Sequence, residues 1–298
     1  MISRTGFARA GIKYNVREMR MKKKKKWSTF ILLLFFFIGL SVMLYPAIST
    51  YWNSRTQSAA ITDYEKMLES MPRENWDDMF SQAEEYNRAL AALDMPLIHY
   101  SRIEGYEQIF NVSNNGMIGY ISIDKIGIEL PLYHGTSESV LAFAAGHIEG
   151  SSFPVGGEST HAIVSAHRGL PTATLFTHLD KMEIGDTFEF TILDRTFTYQ
   201  VDQIKTVLPT DTSDITIETG KEYCTLITCT PYGINTHRLL VRGRIVDAAQ
   251  EKNVYVRSDA HLVNSMIVTP IIALPMLFVL MMIVLFKPAK KEYTGDDI

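Results

Sequence analysis

The chain has 298 residues, 46% hydrophobic and 21% charged, with a formal net charge of −4, which is ordinary globular composition with room for one sizeable core plus appendages. The charge is unevenly placed: the first 26 residues carry ten Lys or Arg and one acid, and residues 287–298 carry three of each, leaving 16 basic and 29 acidic residues between them, a net of −13. Such a surface argues against nucleic acid as a partner. It suits solubility in a crowded envelope, with attraction of a substrate carrying lysine amines as the sharper alternative.

In chain order, a basic segment over residues 1–26 gives way to an uncharged run, Ser28 to Tyr45, that contains Leu32-Leu33-Leu34-Phe35-Phe36-Phe37. A second uncharged run extends from Ile267 to Phe286. At about 1.5 Å per residue, roughly 20 residues cross the ~30 Å hydrocarbon layer, so both runs can span a membrane. Pro270 and Pro275 are tolerable near a helix entrance. Lys22 to Lys26 before the first span and Lys287, Lys290 and Lys291 after the second put both ends in the cytoplasm and the middle outside. A cleaved signal peptide is the rival for the first segment, but its apolar stretch exceeds a usual signal core and no clear small-x-small cleavage site stands just after it, so a retained anchor is expected.

Asp63 to Leu93 reads as helical and broken at Pro72, with Trp76, Met79, Phe80, Ala83, Tyr86, Leu90 and Leu93 forming one apolar stripe that packs on the following domain. Residues 94–116 lack periodicity and end in Asn114-Asn115-Gly116, a covering segment and then a turn. From Met117 the period becomes two. Tyr120, Ile121 and Ile123, then Ile126, Ile128 and Leu130, surround Asp124-Lys125 as in a hairpin; Ala162 to Ala166 is a short strand; Phe188 to Ile192 and Phe197 to Val201 flank an Asp194-Arg195 turn. Ala173 to Leu179 reads as a brief helical piece. Many short strands with little helix predict a mainly β domain, a small closed or nearly closed barrel. The expected division is 1–26 cytoplasmic, 27–48 transmembrane helix, 49–93 juxtamembrane helical segment, 94–116 loop or lid, 117–250 barrel, 251–266 linker, 267–286 transmembrane helix and 287–298 cytoplasmic tail.

The chemistry concentrates near the barrel's end. Thr225-Leu226-Ile227-Thr228-Cys229 is a β-branched strand run, Leu239 to Val246 is another, and Pro231, Gly233 and Asn235 between them are turn residues. Antiparallel pairing would set Cys229 opposite Arg238, a thiol beside a guanidinium suited to acyl transfer through a thioester. The other cysteine, Cys224, lies on the opposite face of the same strand, about 16 Å away at ~3.3 Å per residue, too far for a disulfide. It reads as a buried apolar residue, leaving Cys229 a free thiol. A thiol needs a base, and His167 stands at the end of an apolar strand before the turn Arg168-Gly169-Leu170-Pro171. Spacing alone does not choose it over His147 or His237. His147, His161 and His178 read as hydrogen-bonded structure, and Arg242 and Arg244 as solvated or ion-paired. No H-E-x-x-H or comparable spacing occurs, and neither a metal nor a cofactor is expected.

With these residues in view, the segment resembles the sortases, membrane-anchored cysteine transpeptidases. The family's Thr-Leu-x-Thr-Cys signature stands at Thr225 to Cys229, its arginine at Arg238, and its histidine at His167 within Ser165-Ala166-His167-Arg168-Gly169. Gly146-His147-Ile148-Glu149-Gly150, Phe153-Pro154-Val155-Gly156-Gly157 and the stretch from Cys229 to Gly243 are similar to the class C, pilus-polymerising branch. The resemblance implies an eight-stranded barrel between N- and C-terminal transmembrane helices. It also implies Cys229 as nucleophile on an LPXTG-like signal, His167 as general acid and base, and Arg238 as oxyanion donor. The partners it implies are pilins or surface proteins with C-terminal sorting signals, a pilin lysine amine as acceptor, and membrane lipid. Class C members carry a lid with an Asp-Pro-aromatic motif, whereas this chain has Asp94-Met95-Pro96-Leu97. The expectation is therefore either an altered lid using His99 or Tyr100, or an open groove. The alternatives in function are a housekeeping enzyme anchoring proteins to peptidoglycan, a hydrolytic cysteine peptidase, and a catalytically silent binding module.

Overall fold

The computed structural model describes residues 5–246 and, further on, 273, 275–279 and 281–282; side chains are described from Trp27 onward, Ser28 excepted. Helix α1 runs Thr5–Ser70 and α2 runs Glu74–Ala91, separated at Pro72 as the sequence predicts. The stretch Thr29–Ser70 is long and apolar enough to cross a bilayer, with a mean hydropathy of 2.5 in its apolar window, and Phe30, Phe35 and Ile38 are exposed on it. The expected boundaries at 26/27 and 48/49 both fall inside α1, which continues through Pro46. Contacts nonetheless divide the chain between Ile48 and Ser49. Of the expected C-terminal span only the eight residues named above are described, all helical; the rest, with the 251–266 linker and the 287–298 tail, lies outside the described residues.

Residues 117–246 form a closed barrel of eight strands in the order β1-β2-β3-β4-β7-β8-β6-β5. The strands are β1 Met117–Ile123, β2 Ile128–His134, β3 Ala145–His147, β4 Thr160–Ser165, β5 Thr187–Ile192, β6 Arg195–Val207, β7 Glu222–Thr230 and β8 His237–Val246. Only β2/β3 and β4/β7 are parallel, and β5 closes onto β1 at Tyr120↔Thr191. Alternation turns Ile121, Ile123, Leu132, Phe188, Phe190, Tyr199, Leu226 and Val241 into a core where none exceeds 1% exposure. Gly243 makes room for it: a Cβ there would fall 2.8 Å from Phe188 Cε1 and 3.0 Å from Tyr199 Cβ.

The second half of α1, and α2, are part of this body. The stripe residues Trp76, Phe80, Ala83, Tyr86 and Leu90 of α2 are buried in the same core, with Met79 and Leu93 packed at its edge. Tyr64 of α1, 2% exposed, donates its hydroxyl hydrogen to Ile118 O and accepts from Leu193 N–H, both at 3.0 Å. Burial raises its hydroxyl pKa. Asn87 of α2 clamps the backbone of Phe153 from both sides, accepting from its N–H at 2.8 Å and donating to its carbonyl at 3.1 Å.

Three local expectations shift. The Asp124-Lys125 hairpin contains a 3-10 turn, Asp124–Ile126, so Ile126 is buried from a turn and not from a strand. The β5/β6 turn is Leu193-Asp194, since Ile192 pairs with Arg195. Residues 173–178 are turns followed by a 3-10 piece, Leu179–Lys181, not a helix: Phe176 N–H is donated back to His167 O at 3.1 Å, and Leu175 has a positive φ of 38°.

Candidate active site

The floor of the site is the outer face of β4, β7 and β8. In β7, Cys224 and Leu226 turn inward, so Thr225, Ile227 and Cys229 face outward. The β7/β8 ladder pairs Ile227 with Leu240 and Cys229 with Arg238, and ends at Thr230↔His237 before the 231–236 loop. Cys229 therefore stands directly across from Arg238 at the strand ends, as the two β-branched runs predict. The Arg238 Nη1 donates to His237 O at 3.1 Å, holding the guanidinium stem against its own loop.

On the other side of β7 lies β4, parallel to it, with Ser165 paired to Ile227. Two hydrogen bonds extend this register: Ala166 N–H to Ile227 O at 3.2 Å, and Thr228 Oγ1–H to Ala166 O at 2.8 Å. Carrying this register one residue further would bring His167 level with Cys229. Cys229 and Arg238 thus face each other at the ends of β7 and β8, and His167 follows the end of the adjoining strand β4.

The remaining groups are distinguishable by environment. Cys224 is fully buried and burial pushes its thiol far up, so it stays protonated, whereas Cys229 is half-buried and both cysteines are free. His147 is fully buried, lies parallel to the Phe153 ring at 4.8 Å, accepts from Tyr106 Oη–H at Nδ1 and donates from Nε2 to Ser152 O. Burial pulls its pKa down to about 3. His161 is likewise held down by burial and sits between Thr216 O and Thr225 Oγ1, both at 2.8 Å. These two are structural, as their sequence context suggests. Arg242 forks onto Asp202 at 2.9 and 3.0 Å and covers the Tyr223 ring, while Arg244 is exposed.

A small apolar patch on the outer face, Ile163, Ile227 and Leu240, is separate from the barrel core. Leu97 packs on it together with Ile148, Val207 and Ile215. Leu97 belongs to the short helix α3, Pro96–His99, in the covering segment. The segment rests on Gly150, whose φ is +83° and where a Cβ would fall 2.9 Å from both Leu97 Cα and Pro96 O. His99 Nδ1–H donates to Asp94 O at 2.7 Å and Tyr100 bonds Glu149, while the residue of this segment that packs on the outer-face patch is the aliphatic Leu97. Sequence reasoning also missed Arg168, whose guanidinium joins Thr230 and Asp180. Its only sequence signal is that it follows His167.

Comparison with known families matches residues 121–246 to the Sortase domain. Among curated proteins, sortase D of Bacillus subtilis is 33% identical over 131 residues, 43% of this chain and 63% of that protein. Sortase A of Streptococcus agalactiae is 30% identical over 135 residues, 44% of this chain and 54% of that protein. The chain thus spans between half and two thirds of these relatives' length. Among solved structures, sortase C1 of Streptococcus agalactiae superposes with a TM-score of 0.58 at 47% identity over 63% of this chain and 98% of that one. Streptococcus pneumoniae sortase C gives 0.58 at 42% over 63% and 97%, and Clostridium perfringens sortase C gives 0.53 at 38% over 63% and 99%.

Proposed function

The chain belongs to the sortase family, its structural neighbours are class C sortases, and from this premise we propose that it is a membrane-anchored cysteine transpeptidase that joins pilin subunits. The observation that carries the reading is the Cys229↔Arg238 pair at the ends of β7 and β8, with β4, the strand that leads to His167, paired alongside β7. The pilin reading is supported by the likeness to Streptococcus pneumoniae sortase C, a structure that bears on pilin substrate specificity.

In the proposed first half-reaction, Cys229 Sγ bonds to the threonine carbonyl carbon of an LPXTG-like sorting signal and the bond to the glycine nitrogen breaks. The thiol proton passes through His167 to the leaving amine. Arg238, across the ladder from the sulfur, donates to the carbonyl oxygen as it becomes an oxyanion, a contribution of about 2.7–4 kcal/mol in comparable sites. In the second half-reaction a lysine amine of the next pilin bonds to the same carbon, the C–S bond breaks, and the amine proton returns to sulfur through His167. The product is an isopeptide bond and the free enzyme. The apolar run at Thr29 onward serves as retained anchor, the acidic middle faces outward, and the C-terminal apolar run is a second span.

Incubating the full chain with a candidate pilin tests this. SDS-resistant ladders and a thioacyl adduct, both lost in Cys229→Ala, are expected. An unchanged adduct yield in that variant rejects the role of Cys229. Transfer only to glycine or peptidoglycan-like amines would favour the housekeeping reaction, and release of free acid regardless of added amine would favour a peptidase.

A further inference from the structure

We propose that Arg168 is a positioning residue that sets the distance between His167 and Cys229. This deepens the transpeptidase reading and rests on it for its kinetic arm. The two reacting side chains come from strands that pair side by side, but the formal ladder stops at Ser165↔Ile227, before either of them. What fixes them beyond that point is a pair of side-chain links placed symmetrically about the two residues. On the near side, the residue before Cys229 holds the residue before His167, through Thr228 Oγ1–H to Ala166 O at 2.8 Å. On the far side, the residue after His167 holds the residue after Cys229, through Arg168 Nη1–H to Thr230 Oγ1 at 3.1 Å. His167 and Cys229 sit between these two links.

The far link is built with care. The Arg168 side chain is only 9% exposed, and its Nη2 donates to the Asp180 carboxylate, which balances the buried charge. Its Nε is buried without a partner among the described residues. Asp180 sits in the 3-10 turn Leu179–Lys181 that ends the loop begun at His167. The loop is closed at its base by Phe176 N–H to His167 O at 3.1 Å and braced by Gly169 N–H to Thr177 Oγ1 at 3.3 Å. Asn53 of α1 adds a donor to Thr172 O at 2.9 Å. Apart from the Arg168 link, these contacts keep the loop in shape or tie it to α1. Gly169 of the loop also passes close to the Tyr232 ring, but among the described hydrogen bonds from residues 168–181 the one that reaches the strand end bearing Cys229 is that of Arg168 to Thr230. A planar fork is required, because its two arms reach Thr230 and Asp180 at once; a lysine offers a single ammonium and cannot span both in the same geometry.

The lever is distance. A general base transfers a proton only within hydrogen-bond reach, and a displacement of about 1 Å at a reacting pair can cost roughly 100-fold in rate. Losing the far link leaves the Thr228 hinge intact and frees the His167 loop to swing about it.

The test uses the full chain and compares wild type, Arg168→Ala, Arg168→Lys, Thr230→Val, Thr230→Ser, His167→Ala and Cys229→Ala. Melting temperature is recorded for each, and Thr230→Val reads the same link with the guanidinium left in place if Arg168→Ala does not fold. The first readout is the rate of Cys229 alkylation by iodoacetamide from pH 5 to 9, which reports the coupling of thiol and imidazole without any substrate. Arg168→Ala, Arg168→Lys and Thr230→Val are expected to move toward the His167→Ala profile, and Thr230→Ser, which keeps the acceptor, to stay with wild type. The second readout is turnover of a sorting-signal peptide, where kcat should fall about 10–100-fold with KM within about two-fold. Folded Arg168→Ala and Thr230→Val proteins with the wild-type alkylation profile overturn the proposal, whatever the turnover shows. Turnover persisting in Cys229→Ala overturns the transpeptidase reading, and the alkylation profiles then still decide whether Arg168 holds the pair together.

Discussion

The covering segment offers a quantitative prediction. Leu97→Ala removes an isopropyl group's worth of contact with Ile163, Ile227 and Leu240, residues that lie on the same outward face as Cys229. Truncating a fully buried leucine costs about 2.7–5 kcal/mol. Leu97 is half-buried, so the loss is about 1–2 kcal/mol. If, on the proposed reading, a sorting peptide lies along this outer face beside Cys229, Leu97 must first leave the patch, and the truncation favours the uncovered state by that energy. The open population should rise roughly 5–30-fold. In a peptide-cleavage assay kcat/KM should increase by the same factor, with little change in melting temperature since the barrel core is untouched. Met95→Ala and Ile98→Ala are internal controls, because both side chains are exposed on the same segment and should leave kcat/KM within two-fold of wild type. If Leu97→Ala also stays within two-fold, or if the exposed controls accelerate cleavage equally, Leu97 does not hold the cover on the groove.

Three further perturbations probe the scaffold. Gly243→Ala should destabilise the barrel by about 1–3 kcal/mol in urea unfolding, because its methyl group would press on Phe188 and Tyr199; a change below 0.5 kcal/mol would contradict the tight approach. Tyr64→Phe keeps the ring but strands Ile118 O and Leu193 N–H in the interior, and should cost roughly 2–4 kcal/mol by the same measurement, whereas a neutral result would mean α1 does not brace the hairpin. For pH, the unfolded chain takes up a proton on His147 near its ordinary value of 6.5, while the folded protein resists it until about 3. The stability this contributes is complete above pH 6.5 and is lost as pH falls through that window, in the same sense as for His134 and His161, which burial also holds down. His147→Gln should be less stable at pH 7 yet decline less steeply between pH 6.5 and 4; an unchanged slope would show that His147 is not the group responsible.

Features carried by neighbouring residues were readable from the chain, and those built by distant ones were not. The pairing of Cys229 with Arg238 follows from two β-branched runs joined by Pro231, Gly233 and Asn235, because a short connection leaves an antiparallel ladder as the natural outcome. The α2 stripe was legible for the same reason, since Trp76, Phe80, Ala83 and Leu90 satisfy a helical period by themselves. Ala173, Phe176 and Leu179 also mimic a helical period and are all buried, yet Phe176 gives its N–H to His167 and the chain folds into a loop. The apolar spacing there records how that loop packs on the barrel, and a helix is only the simplest pattern that shares it. The β5/β6 turn misses by one residue because Leu193 N–H is satisfied by Tyr64, 129 positions away. The choice among histidines shows the same limit. His147 ends a strand just as His167 follows one, and only the three-dimensional neighbours separate them: Tyr106 and Ser152 occupy both ring nitrogens of His147 in the interior, while His167 is half-buried and follows β4, the strand paired alongside the one that bears the half-buried Cys229. Local pattern therefore places Cys229 opposite Arg238, the proposed nucleophile and oxyanion donor, and only long-range packing separates the proposed base, His167, from the other histidines. The link that sets their spacing, Arg168 with Thr230 and Asp180, has no local pattern because its three residues come from two ends of one loop and the end of another strand.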